Sequence, residues 1–521
     1  MPLLERLPRR LLRVLDAGAN WCYGWRWNPF HQAGTLAVVM LLVLLGTGLY
    51  LVVYYRLGAP FASVSRLTAD PWLGAWMRTL HRYATDVFVL AASVHAVRML
   101  AQGRSWGPRT LAWVSGLLLL GAGLVCAWTG YVMVWDTFGE RLALEGGRLF
   151  DKLPIFSEPQ SRIFAGGGPV PSAFFFVNLF IHIALPLGLG AALWLHVSRL
   201  ARPVLLPPRR ITWGSIGALL IGSVLFPAPL GPVADPFRLA ESTPTDVVVA
   251  WWLPISERLP AGVAWSVGLG FMLAVLLVPR LTRRPREGTW APSGVDPRLC
   301  TGCNQCPQDC PWEAITMVGR TDDRPILVAH VDPARCVSCG ICAGSCAPMG
   351  VGPPGRTGRD QVAVLRATIL TDLAAAGGTP MIAVCCARAP GGHVAALRAR
   401  GVRIHPVSCV GNLHSSVIEL LVRAGSPGVI VCGCPPRDCA GREGPKWLLE
   451  RLFHEREAEL PPRVDRRRVR VVTLAPGNLG ETLVEFDAFV RELEAAGRLA
   501  GDVYDDLDPE CEPVPLEESA S

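Results

Sequence analysis

HRYATDVFVLAASVH (81–95) and HIALPLGLGAALWLH (182–196) are the two stretches from which the architecture can be read. Each begins and ends on a histidine, fourteen residues apart. On an α-helix that interval is about 21 Å of rise and nearly four whole turns, so both imidazoles lie on one face. The residues between are mostly apolar, and ionisable groups are rare and costly at membrane depth. Two such helices side by side make two stacked His–His sites, and bis-imidazole ligation of haem iron accounts for all four histidines. The alternative is a set of unrelated buried histidines bonded to neighbouring carbonyls, and the identical spacing in two segments argues against it.

Further candidate spans are 34–55, 110–133, 212–230 and 261–279, which with 80–100 and 172–197 make six, each near the ~20 residues that cross the hydrocarbon core. Six spans put both termini on one side. Arg6, Arg9, Arg10 and Arg13 precede the first span, Arg98, Arg104 and Arg109 follow the second, Arg199, Arg202, Arg209 and Arg210 follow the fourth, and Arg280, Arg283, Arg284 and Arg286 follow the sixth. The positive-inside rule makes that side cytoplasmic, and the membrane expected is the inner membrane of a prokaryote. Both histidine spans then run inward, so His81 pairs with His182 near the outer surface and His95 with His196 near the cytoplasm. Gly34 and Gly48 in the first span, and Gly116 and Gly130 in the third, repeat the fourteen-residue interval and place side-chain-free notches against two flat macrocycles.

Mean hydropathy of +0.33 with 18% charged residues excludes a disordered chain and argues against an ordinary soluble enzyme. The +7 net charge is no signature of nucleic-acid binding, because the arginines flank hydrophobic runs instead of forming a stripe with aromatics. Fifteen of the 17 cysteines lie beyond residue 290. In a reducing compartment they favour metal ligation over disulfides.

GTGLYLVVYYR (46–56), GAWMRTLHRY (74–83), HAVRML (95–100) and GYVMVWD (130–136) resemble the cytochrome b superfamily of quinol oxidoreductases, in particular its short form. The resemblance continues through DPFRLAESTPTDVVVAWWLP (235–254), where the family carries a Pro-Glu-Trp-Tyr quinol-site motif and this chain reads Thr245-Asp246-Val247-Val248. It implies two haem b groups, quinone as substrate, an outer-face electron acceptor on another subunit, and a homodimer. Asp246 matches the glutamate that takes a quinol proton, one methylene shorter and without its aromatic neighbours. A solvated loop carboxylate would read the same way. Arg78 and Arg82 flank His81 and suit haem propionates, or anchoring at the interface. His31, at the entrance of the first span, suits an inner quinone, and a capping histidine would look no different.

CTGCNQCPQDCP (300–311) and CVSCGICAGSCAP (336–348) each read Cys-x2-Cys-x2-Cys-x3-Cys, the spacing of a bacterial two-cluster ferredoxin in which the fourth cysteine of each run serves the other cluster. One [4Fe–4S] set is then Cys300, Cys303, Cys306 and Cys346, and the other Cys336, Cys339, Cys342 and Cys310. A zinc ribbon has no need of a triple-cysteine run repeated twice.

From about residue 361, apolar runs MIAVCC (381–386), VRIHPVSC (402–409), GVIVCGC (428–434) and VRVVTLA (469–475) alternate with helical stretches, which predicts a parallel sheet with covering helices. Cysteines fall at the carboxyl ends of three strands, the edge where open α/β sheets gather their sites. Residues 402–439 resemble the delta subunit of methyl-viologen-reducing hydrogenases. That resemblance implies a [2Fe–2S] cluster on four thiolates among Cys386, Cys409, Cys434 and Cys439, with Cys385 and Cys432 as alternatives. Where the family opens Cys-Cys-x-x-Cys, this chain has Ala389 in place of the last cysteine. The alternative is a docking domain that kept the fold and lost the cluster.

The predicted order is a membrane helix bundle over 1–290, an α+β ferredoxin domain over 291–355, an α/β domain over 361–500 and an acidic disordered tail over 501–521. Its function is expected to be electron exchange between quinone and a soluble flavin and iron–sulfur complex of the heterodisulfide-reductase or hydrogenase type. An electron-carrying adaptor without its own quinone site is the second reading.

Overall fold

The structure is a computed structural model and describes residues 3–164, 169–198, 200–235, 246–283, 290–322, 324–370, 380–454 and 456–496. The expected disordered tail and Thr245 lie outside the described residues. The chain divides into two compact units: Gln32–Met99 with Arg109–Leu281, and Met1–His31 with Leu100–Pro108 and Thr282–Ser521. That division departs from the boundary expected at residue 290. The N-terminal helix and the 100–108 segment cluster with the cysteine-rich part because they are bonded to it: Asn20 donates to the Pro476 carbonyl at 2.7 Å and Arg9 to the Arg388 carbonyl at 3.0 Å.

The helical unit is built on Ala33–Tyr54, Gly74–Ala101, Thr110–Val134 and Ser172–Ser198. Leu42, Leu49, Leu118, Phe180 and Leu187 on these helices are exposed. Helices apolar on all sides are what a lipid environment requires. Among the described residues, five helices are long and apolar enough to cross a membrane: Trp25–Tyr54, Gly74–Ala101, Gly107–Val134, Ser172–Ser198 and Ala261–Leu281. The expected span at 212–230 is shorter. Its helix covers Arg209–Leu225, 17 residues, and stops where Phe226 precedes Pro227, since a residue before proline is driven out of the helical region. The chain that follows turns its Ala228 and Pro229 carbonyls to the Arg78 guanidinium at 2.8 and 2.9 Å.

In the other unit, β1 (Gly294–Val295) pairs with β4 (Val351–Gly352), and β2 (Ile315–Val318) with β3 (Val328–Val331), both antiparallel. β5 (Ile382–Cys386), β6 (Arg403–Val407), β7 (Val429–Gly433) and β8 (Val469–Thr473) form a parallel sheet in the order β6-β5-β7-β8. Strand side chains alternate between faces. Val384, Cys386 and Val431 therefore join a core with Leu421 and Leu448, while Ala383, Cys385 and Cys432 join another with Phe486 and Phe489.

The ferredoxin-like part and the sheet are joined by buried polar contacts. Arg451 is 1% exposed, and it donates to the Ser345 hydroxyl at 3.1 Å and to the Gly411 carbonyl at 2.8 Å. Arg456 pairs with the buried Asp309 at 2.5 Å. Removing one partner from a buried charged network costs about 3–5 kcal/mol, because the groups left behind stay desolvated. Arg451→Met is therefore expected to destabilise this unit by about that amount, seen as faster loss of iron–sulfur absorbance on heating and earlier proteolysis around residue 411. Unchanged bleaching would contradict this.

Candidate metal centres

Each of the four histidines lies beside one of the four glycines. A Cβ built on Gly48 would lie 3.4 Å from His81 Cε1, and one on Gly130 would lie 3.0 Å from His182 Cε1. On Gly34 it would lie 2.6 Å from His95 Nδ1, and on Gly116, 3.2 Å from His196 Cε1. Each histidine ring thus lies against the glycine of a neighbouring helix, in the pairs 48/81, 130/182, 34/95 and 116/196. The contacts at Gly34, Gly116 and Gly130 are tighter than a Cβ ordinarily makes, and that at Gly48 is ordinary van der Waals contact.

The His81 and His182 ring centroids are 6.2 Å apart. That separation approximates two metal–imidazole bonds of about 2 Å plus the two ring radii. The opposite ring nitrogens are held by the neighbouring helices. Thr47 gives its own proton to the Val43 carbonyl at 2.8 Å, so its oxygen accepts from His81 Nδ1, also at 2.8 Å. Ser115 is bonded in the same way, to the Leu111 carbonyl and to His196 Nδ1, each at 2.8 Å. His182 Nδ1 donates to the Cys126 carbonyl at 2.9 Å with Thr129 Oγ1 at 3.1 Å. A proton fixed on Nδ1 leaves the lone pair on Nε2, the nitrogen a metal would take. In this respect the residues present fit haem.

The sequence reading did not pick out these hydroxyls, although it contains a signal for them. Thr47, Ser115 and Thr129 each directly precede one of the glycines, and Ala33 stands at the fourth such position. Cys126 also has its Sγ 3.6 Å from His182 Nδ1. Arg78 is engaged with the carbonyls described above, and Arg82 forms ion pairs with Asp86 and Asp246. Asp246 also accepts from the Tyr131 hydroxyl and from the Val248 and Val249 N–H groups at 2.7 and 2.9 Å. Burial pushes its carboxyl up, but these hydrogen bonds and Arg82 outweigh burial and hold it below the usual carboxylate range. It is ionised at neutral pH and becomes neutral only in acid. His31 lies on the turn Pro29–Gln32, with Nε2 3.6 Å from Asp16. Its other neighbour, Asp438, accepts from Gln102 and is within reach of the Arg9 and Arg104 charges, so the group is a compensated ion network.

The ferredoxin cysteines fall into two groups. The thiols acting on Cys306 are Cys346, Cys303 and Cys300, and those four line one small cavity. The thiols acting on Cys342 are Cys339, Cys336 and Cys310. Burial pushes Cys339 up to about 12, so a thiolate there needs a cation to hold it. Gly350 N–H donates to Cys346 Sγ at 3.2 Å, Ala314 N–H to Cys310 Sγ at 3.4 Å and Ser293 N–H to Cys336 Sγ at 3.4 Å. Donors of this kind stabilise sulfur-bound negative charge.

At the carboxyl edge of the sheet, Cys386 and Cys434 have their sulfurs 3.4 Å apart. A Cβ on Gly444 would lie 2.7 Å from Cys409 Sγ and 3.3 Å from Cys439 Sγ. The charges of Cys386, Cys439 and Cys409 all act on Cys434. These four thiols converge, in a cradle that any residue larger than glycine at 444 would fill. Cys385 and Cys432 face each other in register on the opposite side of the sheet. The four thiolates fit an iron–sulfur group, and the other pair does not reach it.

The profile of the family described as Cytochrome b/b6/petB matches residues 25–203, that of a 4Fe-4S dicluster domain matches 299–350, and that of the methyl-viologen-reducing hydrogenase delta subunit matches 391–497. Cytochrome b6 of Heliobacterium mobile is 32% identical over 142 residues, 27% of this chain and 67% of that protein. Cytochrome b6 of Heliobacterium modesticaldum is 28% identical over 167 residues, 31% and 78% of the two chains. A chain of a hyperthermophilic respiratory Complex III superimposes with a TM-score of 0.40 at 17% identity, over 48% of this chain and 74% of that one, a likeness too distant to argue from.

Apolar helices bearing histidines, followed by dicluster and hydrogenase-delta-like parts, define an integral membrane electron-transfer protein. The chain belongs to the cytochrome b/b6 family, which implies haem b, and its dicluster domain implies iron–sulfur clusters.

Gly130→Leu should displace the His182 ring. The pyridine haemochrome of the purified variant is expected to lose about half the haem per chain, while iron–sulfur content stays as in the parent. Full haem retention would exclude the tiered arrangement.

Proposed function

We propose that the chain is the membrane subunit of a quinone/quinol oxidoreductase, linking the quinone pool to a soluble flavin and iron–sulfur partner of the heterodisulfide-reductase or hydrogenase type. His81 with His182 and His95 with His196 would hold two haem b groups. Cys300, Cys303, Cys306 and Cys346 would hold one [4Fe–4S] cluster, Cys336, Cys339, Cys342 and Cys310 a second, and Cys386, Cys409, Cys434 and Cys439 a [2Fe–2S] cluster. When bound, haem and iron–sulfur clusters carry single electrons, which the side chains here cannot. The arginine distribution supports six spans, with both termini and the cysteine-rich parts in the cytoplasm.

The observation that carries the quinone reading is the lodging of Asp246 against Arg82, the residue next to His81, and Tyr131. It brings a carboxylate, a guanidinium and a phenol together beside a haem-binding histidine. Tyr131 donates to Asp246, and Arg82 holds that carboxylate ionised, so a quinol hydroxyl arriving there meets an acceptor already aligned. The adaptor reading draws on the same contacts. An aspartate so fully satisfied is a weak base, and the aromatic neighbours of the family motif are replaced by Val247 and Val248.

An anaerobic titration recording haem absorbance and iron–sulfur EPR with added quinol separates the two. Quinol reduction of haem that a quinone analogue blocks and that falls at least tenfold in Asp246→Asn supports the oxidoreductase. Haem that ignores quinol but accepts electrons from a low-potential soluble donor supports the adaptor. For the third centre, Cys434→Ser is expected to abolish its EPR signal and Cys432→Ser to leave it intact. Loss in both, or in neither, would refute the four-thiolate assignment.

A further inference from the structure

The carboxyl edge of the sheet is covered by a piece of chain that comes from between the second and third spans. Residues 100–108 belong to the same compact unit as the sheet, and they are bonded to the turn that carries Cys439. Arg104 donates from one terminal nitrogen to the Cys439 carbonyl and from Nε to the Ala440 carbonyl at 3.3 Å. Gln102 donates to the Asp438 carboxylate at 2.7 Å. In the other direction, Arg388 donates to the Gln102 carbonyl at 3.0 Å and to the Ala101 carbonyl at 3.4 Å. Arg388 follows Cys386 by two residues, so two of the three strand ends that supply thiols to this centre are bonded to the same segment.

Arg104 is more than a clasp. Burial pulls its guanidinium down to about 10, which leaves it a cation at neutral pH, and the charge it acts on most directly is that of Cys439. Arg442 and Arg388 crowd the same place with like charge, which is costly to assemble unless negative charge sits among them. Asp438 supplies one such charge, and a set of four thiolates would supply the rest.

We propose that Arg104 is a positioning residue for the third centre: its fixed cation, delivered by the 100–108 segment, raises the reduction potential of the group held by Cys386, Cys409, Cys434 and Cys439. The proposal rests on the four-thiolate reading above. Reduction places another negative charge on the cluster and its sulfurs, and a cation at short range in a poorly solvated site favours the reduced form. Gln102 and Arg104 follow His95 by only seven and nine residues in the chain. The segment that tunes the third centre is therefore the continuation of a helix bearing a haem-binding histidine.

The test is an EPR-monitored redox titration of the full-length protein, with the haem absorbance and the two ferredoxin signals as internal standards. Arg104→Gln keeps hydrogen-bonding capacity and removes the charge. It is expected to lower the reduced-to-oxidised ratio of the third centre at least tenfold at fixed potential, a shift of about 59 mV for one electron. Arg104→Lys should bring it back to within about threefold, and Gln102→Ala, which loosens the segment without touching the charge, should stay within about twofold. The ferredoxin and haem signals should not move. An unshifted third centre in Arg104→Gln, or a common shift of all centres, would overturn the proposal. If Arg104→Gln loses the centre, Arg104→Lys decides: a reduced-to-oxidised ratio within about threefold of the parent upholds the role of charge, and a fall of about tenfold overturns it. A parent protein with no third signal would sink the four-thiolate reading itself, which a parent with the signal and an unmoved variant would leave standing.

Discussion

Fourteen residues bring an α-helix back to nearly the same face after four turns, and the helical unit is organised around that coincidence. The interval occurs in four helices, so the imidazole at 81 lies beside the glycine at 48, 182 beside 130, 95 beside 34 and 196 beside 116. Water is excluded from such a bundle, so each imidazole must place both nitrogens. Hydroxyls of Thr47, Ser115 and Thr129 hold the Nδ1 atoms of His81, His196 and His182, and a metal is the natural partner for Nε2. The hydroxyl and the glycine are adjacent in sequence because they do adjacent jobs: one orients the ring and the other makes room for it.

The cysteine-rich unit obeys a different constraint. Thiolates repel one another and are expensive to bury, so each group needs a cationic centre and supporting donors. Backbone N–H groups of Gly350, Ala314 and Ser293 point at ferredoxin sulfurs. At the sheet edge, arginines take over that part. Arg451 then joins the two redox portions through Ser345, which directly precedes Cys346, and the Gly411 carbonyl, two residues after Cys409. Mechanical linkage and proximity to the centres are thus provided by the same buried side chain.

Much of this could be read directly from the chain. Histidine spacing, the ferredoxin cysteine runs, and four apolar segments, three of them ending in cysteine, are local patterns, and local patterns survive without knowledge of tertiary contacts. The choice among the six sheet cysteines was open in the sequence. Cys385 and Cys386 alternate between the two faces of their strand, and Cys434, just past the end of its own strand, packs with Cys386 while Cys432 packs with Cys385. The length of the 209–225 helix was misjudged because hydropathy continues through Phe226, whereas the backbone is stopped by Pro227.

What the sequence by itself determined is the set of periodic and closely spaced features: the two histidine pairs, their matching glycines, and the eight cysteines of the ferredoxin repeats. Only tertiary structure decided the partners separated by long stretches of chain. Asp246 meets Arg82 and Tyr131, Asn20 meets Pro476, and Arg104 meets Cys439 across more than three hundred residues. The reason is physical. Repeats in a helix or a tight loop are fixed by local backbone geometry, but a single arginine carries no pattern that names its partner. Its place is set by which buried carbonyls and charges remain to be satisfied once the helices and the sheet have packed.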